Sequence, residues 1–202
     1  EFFLRAAEAL EKSREKDLTG VITGCYAAAA HALRESKETA GSEKAVMKGV
    51  FVATGEKPLE VEGNALKVLR TGDLRSASDM FERAASVYQK AIRALSDLTP
   101  AIKSGSQTID VKSILHHRAG QNFLASAGTL SRLNDKLSSI KENIGRAADE
   151  YVNAVINFTP LFSVGEPHKE DYRRYSYDIM MAAALKIMLR TTEDIETLQE
   201  QL

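Results

Sequence analysis

The sequence predicts an all-α protein, an elongated bundle of about six helices that includes long, antiparallel, coiled-coil-like members. Three observations carry this. Apolar residues recur at three–four spacing over long stretches, which marks one face of a helix. Only 4 prolines occur in 202 residues, and each stands where a periodic run ends or begins. Two segments echo one another: residues 83–95 (RAASVYQKAIRAL) and 146–158 (RAADEYVNAVINF) share Arg, Ala, Ala, Tyr and Ala in matching places.

The elements follow in order. A first helix is predicted over 1–14, with Phe3, Ala6 and Leu10 on one face. A second spans 18–37 and carries Leu18, Ile22, Cys25, Ala29 and Ala32 on its apolar side, where small residues let a neighbour approach closely. Residues 49–63 (GVFVATGEKPLEVEG) are the one stretch with strand-like alternation. They predict a small β-hairpin, with a helix–loop–helix connection as the rival reading. From Asp73 the helical pattern runs through Leu74, Ala77, Phe81, Ala84, Tyr88, Ala91 and Leu95, and SGSQT (104–108) then reads as a loop. A further helix begins near Ile109 and strengthens from Leu130, with Leu133, Leu137, Ile140, Ile144, Ala147, Tyr151, Ala154 and Phe158 continuing its stripe; Gly120 and Gly128 are its expected weak points. The last helix runs from His168 to the C-terminus, with Tyr177, Met181, Ala184, Met188, Thr191, Ile195, Leu198 and Leu202 along one side. We read one domain over 1–202, made of a helix pair (1–37), a connector (38–72) and a main long-helix bundle (73–202).

The echo falls on that scheme with matching phase. Ala84, Tyr88 and Ala91, like Ala147, Tyr151 and Ala154, take small–large–small positions on the core stripe, and the offset between the segments, 146 minus 83, is nine heptads. The two helices are expected to be structural counterparts.

Composition excludes several functions. The net charge of −1 comes from 27 basic and 28 acidic residues dispersed along the chain. That is not the clustered basic surface nucleic acid requires, nor a polybasic membrane binder. No apolar run reaches the roughly 18–20 residues of a span, so membrane insertion is not expected. A single cysteine, Cys25, forbids an intrachain disulfide and a multi-thiolate metal site. One thiol suits a reducing compartment, which favours the cytoplasm. The chain opens on Glu1 inside a helical pattern and reads as a fragment of a longer protein.

Catalytic patterns are missing. Six residues at about 100° each place Cys25 and His31 on different sides of their helix, so they cannot pair. Cys25 reads as a packing thiol. His116 and His117 are adjacent and diverge, and His31 with Glu35 gives only two ligands. No Glu-x-x-His pair, P-loop, dinucleotide fingerprint or nucleophile elbow occurs. No cofactor, metal or catalytic residue is therefore expected. The densest recognition pattern is HKEDYRRYSYD (168–178), where Tyr172, Arg173, Arg174 and Tyr175 interleave charge with rings. These four are the predicted partner-binding residues, with 49–63 as a second contact region; the plainer reading is arginines lying over core tyrosines.

Two local likenesses stand beside this. Residues 72–85 (GDLRSASDMFERAA) resemble the second half of a tetratricopeptide repeat, a fold that implies stacked copies of 34 residues. Residues 5–35 (RAAEALEKSREKDLTGVITGCYAAAAHALRE) resemble the opening helix pair of HEPN-type bundles. That likeness implies a ribonuclease motif of Arg followed by His after four to six residues, and no histidine of this chain has Arg at that distance.

The function expected from the sequence is a non-enzymatic protein–protein interaction domain, a scaffold, adaptor or effector fragment presenting a long helical surface. Its partner would be a protein, a second copy of the chain included. The alternatives are a ligand-sensing extracytoplasmic receptor bundle, in which His116, Arg118 or Arg146 holds a small anion, and a HEPN-like bundle without the usual nuclease motif.

Overall fold

The computed structural model describes residues 2–13, 18–96, 106–158 and 169–200, and among them all regular structure is helical. The elements are α1 (Phe2–Lys12), α2 (Thr19–Glu35), α3 (Thr39–Thr54), α4 (Pro58–Thr71), α5 (Leu74–Ser96), α6 (Ser106–Arg132), α7 (Leu137–Phe158) and α8 (Lys169–Glu200). The all-α expectation holds. Among the described residues the helices number eight, not about six, and two local features account for the difference.

The first is at 49–63, where the predicted hairpin does not form. Helix α3 continues to Thr54 and stops on Gly55, whose φ of 71° lies in the left-handed region and whose N–H donates to Phe51 O at 2.7 Å. Pro58 then opens α4, where its missing N–H costs nothing. A left-handed glycine followed by a first-turn proline is a helix–turn–helix signal, and it outweighs the short alternation. Val46 and Val50, four residues apart, are buried while Phe51 faces solvent.

The second is the run from Ile109 to Phe158, which is two antiparallel helices. Gly120 and Gly128 both lie inside α6. The break comes at Asn134 instead, at φ 50°. Leu130 O accepts from Asp135 N–H at 3.1 Å and Ser131 O accepts from Asn134 N–H at 3.1 Å. That pair of bonds is a Schellman motif, with asparagine supplying the left-handed residue that glycine more often supplies. Lys37, at φ 64°, closes α2 in the same way.

At the centre, α6 lies antiparallel to both α5 and α7. Ser113 Oγ donates to Ala154 O at 2.9 Å near one end, and Asn143 Nδ2 donates to Ser126 Oγ at 3.2 Å near the other. Helices α5 and α7 run parallel: Asn143 Nδ2 donates to Glu82 Oε1 at 2.7 Å and Gln89 Nε2 donates to Glu150 Oε1 at 2.6 Å. The two pairs are seven residues apart on both helices, with amide and carboxylate exchanged. All six echoed positions, Ala84, Tyr88, Ala91, Ala147, Tyr151 and Ala154, are buried. The repeated letters therefore mark the faces with which α5 and α7 flank α6. Alanines let the backbones approach, and Gly120 closes the gap further: a Cβ built there would stand 3.3 Å from the Tyr151 ring.

Apolar packing joins α2, α3, α5 and α6 through Ala27, Val50, Tyr88 and Leu115, and α5 to α8 through Ala85, Phe123, Ala147 and Leu185. Helix α8 departs from the predicted phase. The stripe expected along Tyr177, Ala184 and Met188 is exposed, and Met181 is half-buried. The buried face instead carries Asp171, Asp178, Ala182 and Leu185. Ile195, Leu198 and Leu202, and the Thr-Pro steps at 99–100 and 159–160, lie outside the described residues or side chains.

Candidate functional site

Two buried aspartates on an otherwise apolar helix face need partners, because an isolated carboxylate is costly to remove from water. Both have them. Asp178, 1% exposed, meets His117 Nδ1 on α6 at 2.5 Å. Asp171, in the first turn of α8, accepts from Arg34 in the last turn of α2, with Nε to Oδ2 at 3.3 Å and an Nη2–Oδ1 contact beside it. Each charge sits at the helix end whose dipole favours it. Arg174 Nη2 reaches the same Oδ1 at 3.8 Å. Two guanidiniums from helices far apart in sequence thus converge on one carboxylate oxygen.

Beside this convergence lies a cleft of about 310 Å³ between α2, α3, α6 and α8. Arg34, Arg174 and Arg118 line it together with His117, against an apolar wall of Met47 and Ile114. Arg118 is held by Glu43 Oε1 at 2.7 Å. Below it the His117 ring forms an edge-to-face triangle with Tyr151 and Tyr177, centroids 5.8 to 6.0 Å apart. Burial first, and then the neighbouring Tyr177 hydroxyl, push the Tyr151 phenol well above its usual range.

The adjacent His116 turns to the other helix. Its Nδ1 lies 2.6 Å from Glu150 Oε2, whose second oxygen takes the Gln89 amide. A ring and an amide that fill both oxygens of a buried carboxylate form a closed structural unit. Arg146, the other anion-binding alternative, lies over the Phe123 ring at 3.9 Å from its centroid. Burial pushes the Cys25 thiol up, away from the thiolate that reactivity requires. Among the described residues no group of three or more His, Cys, Asp or Glu could hold a metal ion, and no helix is long and apolar enough to cross a membrane.

The four predicted partner-binding residues divide by exposure. Tyr172 and Arg173 face solvent. Tyr175 stacks on Phe158 with centroids 5.2 Å apart, and Arg174 lies over the same ring at 5.5 Å, its side chain 15% exposed. Sequence reading missed Arg34, Asp171 and Asp178. Their one sequence signal is the seven-residue spacing of the two aspartates, which puts both on a single face of α8.

The side of α8 away from α7 is apolar as well. Ile179, Met180, Ile187 and Met188 are exposed, Met180 by 63% and Ile187 by 66%. Between residues 179 and 189 apolar side chains stand on both sides of the helix, Lys186 excepted, and such a segment belongs to an environment that covers both sides. A second surface lies at α3–α4, where Met47, Phe51, Pro58 and Leu59 line a groove of about 290 Å³ edged by Lys44, Lys48 and Lys57. This is the 49–63 region in helical form. Comparison with protein-family models, with curated protein sequences and with solved structures finds no match.

Proposed function

We propose that the chain is a non-enzymatic interaction domain that presents a long helical surface to a protein partner, and that the outer face of α8 is the contact. The observation that carries this is the exposed pair Met180 and Ile187, seven residues apart and opposite the buried face of α8, with exposed Ile179 and Met188 on its two flanks. Covering a large aliphatic side chain is worth about 1.5–3 kcal/mol, so leaving these residues in water forgoes several kcal/mol that a partner would recover. Tyr172 and Arg173 extend this surface toward the helix start and supply the polar rim common at interfaces. The closed pairing of His116 and the raised Cys25 thiol favour the non-enzymatic reading, because neither group is left poised for chemistry.

The first partner to test is a second copy. Sedimentation equilibrium over a wide concentration range is expected to show association of the native chain. The Met180→Glu/Ile187→Glu double variant, altered only at exposed positions, should be monomeric with an unchanged circular dichroism spectrum. A chain monomeric at every concentration would transfer the surface to a different protein. Turnover of nucleotide, peptide or ester substrates by the purified chain would overturn the non-enzymatic assignment.

A further inference from the structure

We propose that the groove at the junction of α3 and α4 docks an acidic amphipathic helix of a partner protein, with Met47, Phe51 and Leu59 as its apolar lining and Lys44, Lys67 and Arg70 as the charges that select the partner. The site is independent of the outer face of α8.

Apolar exposure is the first reason. Lys44, Met47 and Phe51 fall on one face of α3 at three–four spacing, and Leu59, Gly63, Leu66 and Arg70 do the same on α4. Phe51, Leu59 and Leu66 are 46%, 43% and 48% exposed, while Val46 and Val50 of α3 and Ala65 of α4 supply the buried sides. Both helices thus turn apolar residues outward as well as inward, and covering them would recover free energy that water withholds. A Cβ built at Gly63 would meet nothing within 4 Å, so no neighbour in the fold requires that glycine. Inside a helix it costs up to about 1 kcal/mol relative to alanine. Between Leu59 and Leu66 it leaves the α4 backbone open to a second helix.

Charge decides the partner. Every carboxylate between residues 39 and 72 already has a partner inside the fold. Glu43 pairs with Arg118, Glu56 with Arg83 and Lys90, and Glu60 with Lys57, while Glu62 accepts from Tyr88 and Asn122. On the basic side, Lys48 pairs with Glu8 and Lys57 with Glu60. Lys44, Lys67 and Arg70 have no such carboxylate among the described residues, and all three are exposed. The surplus is positive, and Lys44 and Arg70 stand at opposite ends of the apolar line. Carboxylates flanking an apolar stripe complement that arrangement.

Shape favours a helix. A cavity of about 150 Å³ holds a benzene, so the groove of about 290 Å³ has room for two large apolar side chains. Two such side chains project together from one helix at i and i+3 or i+4, the usual anchors of a helix laid in a groove. A lipid surface offers no projecting side chain to fill a recess.

Fluorescence anisotropy of labelled peptides titrated with the full chain tests this. The probe is a peptide of about 18 residues, long enough to hold a helix, with leucines at i, i+3 and i+7 flanked by glutamates. Its counterparts carry glutamine or lysine in place of glutamate. Saturable binding of the glutamate peptide is expected, about tenfold tighter than the glutamine peptide, with no binding of the lysine peptide. Phe51→Ser/Leu59→Ser, altered only at exposed positions, should abolish binding with an unchanged circular dichroism spectrum. Lys44→Glu/Arg70→Glu should weaken it about tenfold, whereas Lys186→Glu/Arg190→Glu, the same change of charge on α8, should not. The Met180→Glu/Ile187→Glu variant should bind the peptide like the native chain, which separates this site from the α8 contact. No saturable binding of the glutamate peptide, equal affinity for the glutamine peptide, equal weakening by the two charge reversals, or binding unmoved by Phe51→Ser/Leu59→Ser would overturn the proposal. Binding to phosphatidylserine vesicles that this last variant abolishes would overturn it as well, and make the groove a lipid contact.

Discussion

Gly120 and Gly63 show how one residue type takes opposite roles in one protein. Glycine inside a helix costs up to about 1 kcal/mol relative to alanine, so each exchange for alanine starts with that gain. At Gly63 a new Cβ meets nothing within 4 Å. Gly63→Ala should therefore raise stability by about 0.5–1 kcal/mol in urea denaturation. At Gly120 the Cβ would stand 3.3 Å from Tyr151, a buried ring that the rings of His117 and Tyr177 hold in place. Overpacking of that kind costs about 1–3 kcal/mol, and Gly120→Ala should be destabilising despite its better propensity. Equal effects at the two sites would contradict the packing described. Tyrosines supply a second test at this scale. Burial, followed by Glu62 for Tyr88 and by Tyr177 for Tyr151, raises both phenols well above their usual range. Such groups stay neutral in the folded chain while the unfolded chain ionises near pH 10. Their contribution is whole below that pH and falls by about 1.4 kcal/mol per pH unit for each tyrosine as pH rises further. Tyrosinate absorbance should therefore rise in two stages, the second coinciding with loss of helical circular dichroism. A single early rise of all 6 tyrosines would mean these phenols are not protected.

Between elements, register is set by polar groups inside an apolar bundle. Glu82 with Asn143, and Gln89 with Glu150, reverse polarity two turns apart, and α6 completes each layer through Ser126 and His116. Sliding α7 past α5 by one turn would break both layers and strand the buried Glu150 carboxylate and Asn143 amide, so the layers select one alignment among several that apolar packing alone would accept. Glu150→Ala should cost about 3 kcal/mol, because it leaves the Gln89 amide and the His116 ring without their acceptor. Replacing Gln89, His116 and Glu150 together by leucine should recover most of that loss. Equal destabilisation by the single and triple variants in urea titrations would show that the layer is not the cause. This scale also shows where sequence reading succeeds and where it stops. The echo was legible, because Ala84, Tyr88 and Ala91 and their counterparts keep one phase in a strongly amphipathic pattern. The Asn134 turn was masked by Leu133 and Leu137, which carry the apolar rhythm straight through the reversal. The 49–63 segment misled because a run of Val and Phe reads alike in a strand and on a helix buried along one side; the decisive residues were Gly55 and Pro58. The phase of α8 could not be read from apolar spacing at all, since apolar residues surround it and its buried face is marked by two aspartates whose partners are distant in sequence. The Arg34–Asp171–Arg174 convergence was invisible for the same reason.

For the whole molecule, the proposed association rests on the side of α8 that faces water. The described helices bury alanine-rich faces against one another, yet the longest of them leaves large aliphatic side chains in water along the side away from α7. A chain that buries the Asp178 carboxylate with a histidine partner, while exposing Ile187 and Met180, departs at these positions from the polarity of a solitary surface helix. That departure follows if the outer face is covered in the working assembly and Asp178 serves to orient α8 against α6. The measurement that tests this most directly is photo-crosslinking in cells that naturally make the protein, with a benzophenone amino acid at position 180 or 187 and, as control, at the exposed position 142 on α7. The account predicts protein adducts of defined mass at 180 and 187, well above those at 142. Adducts no more frequent or more defined at 180 and 187 than at 142 would contradict it.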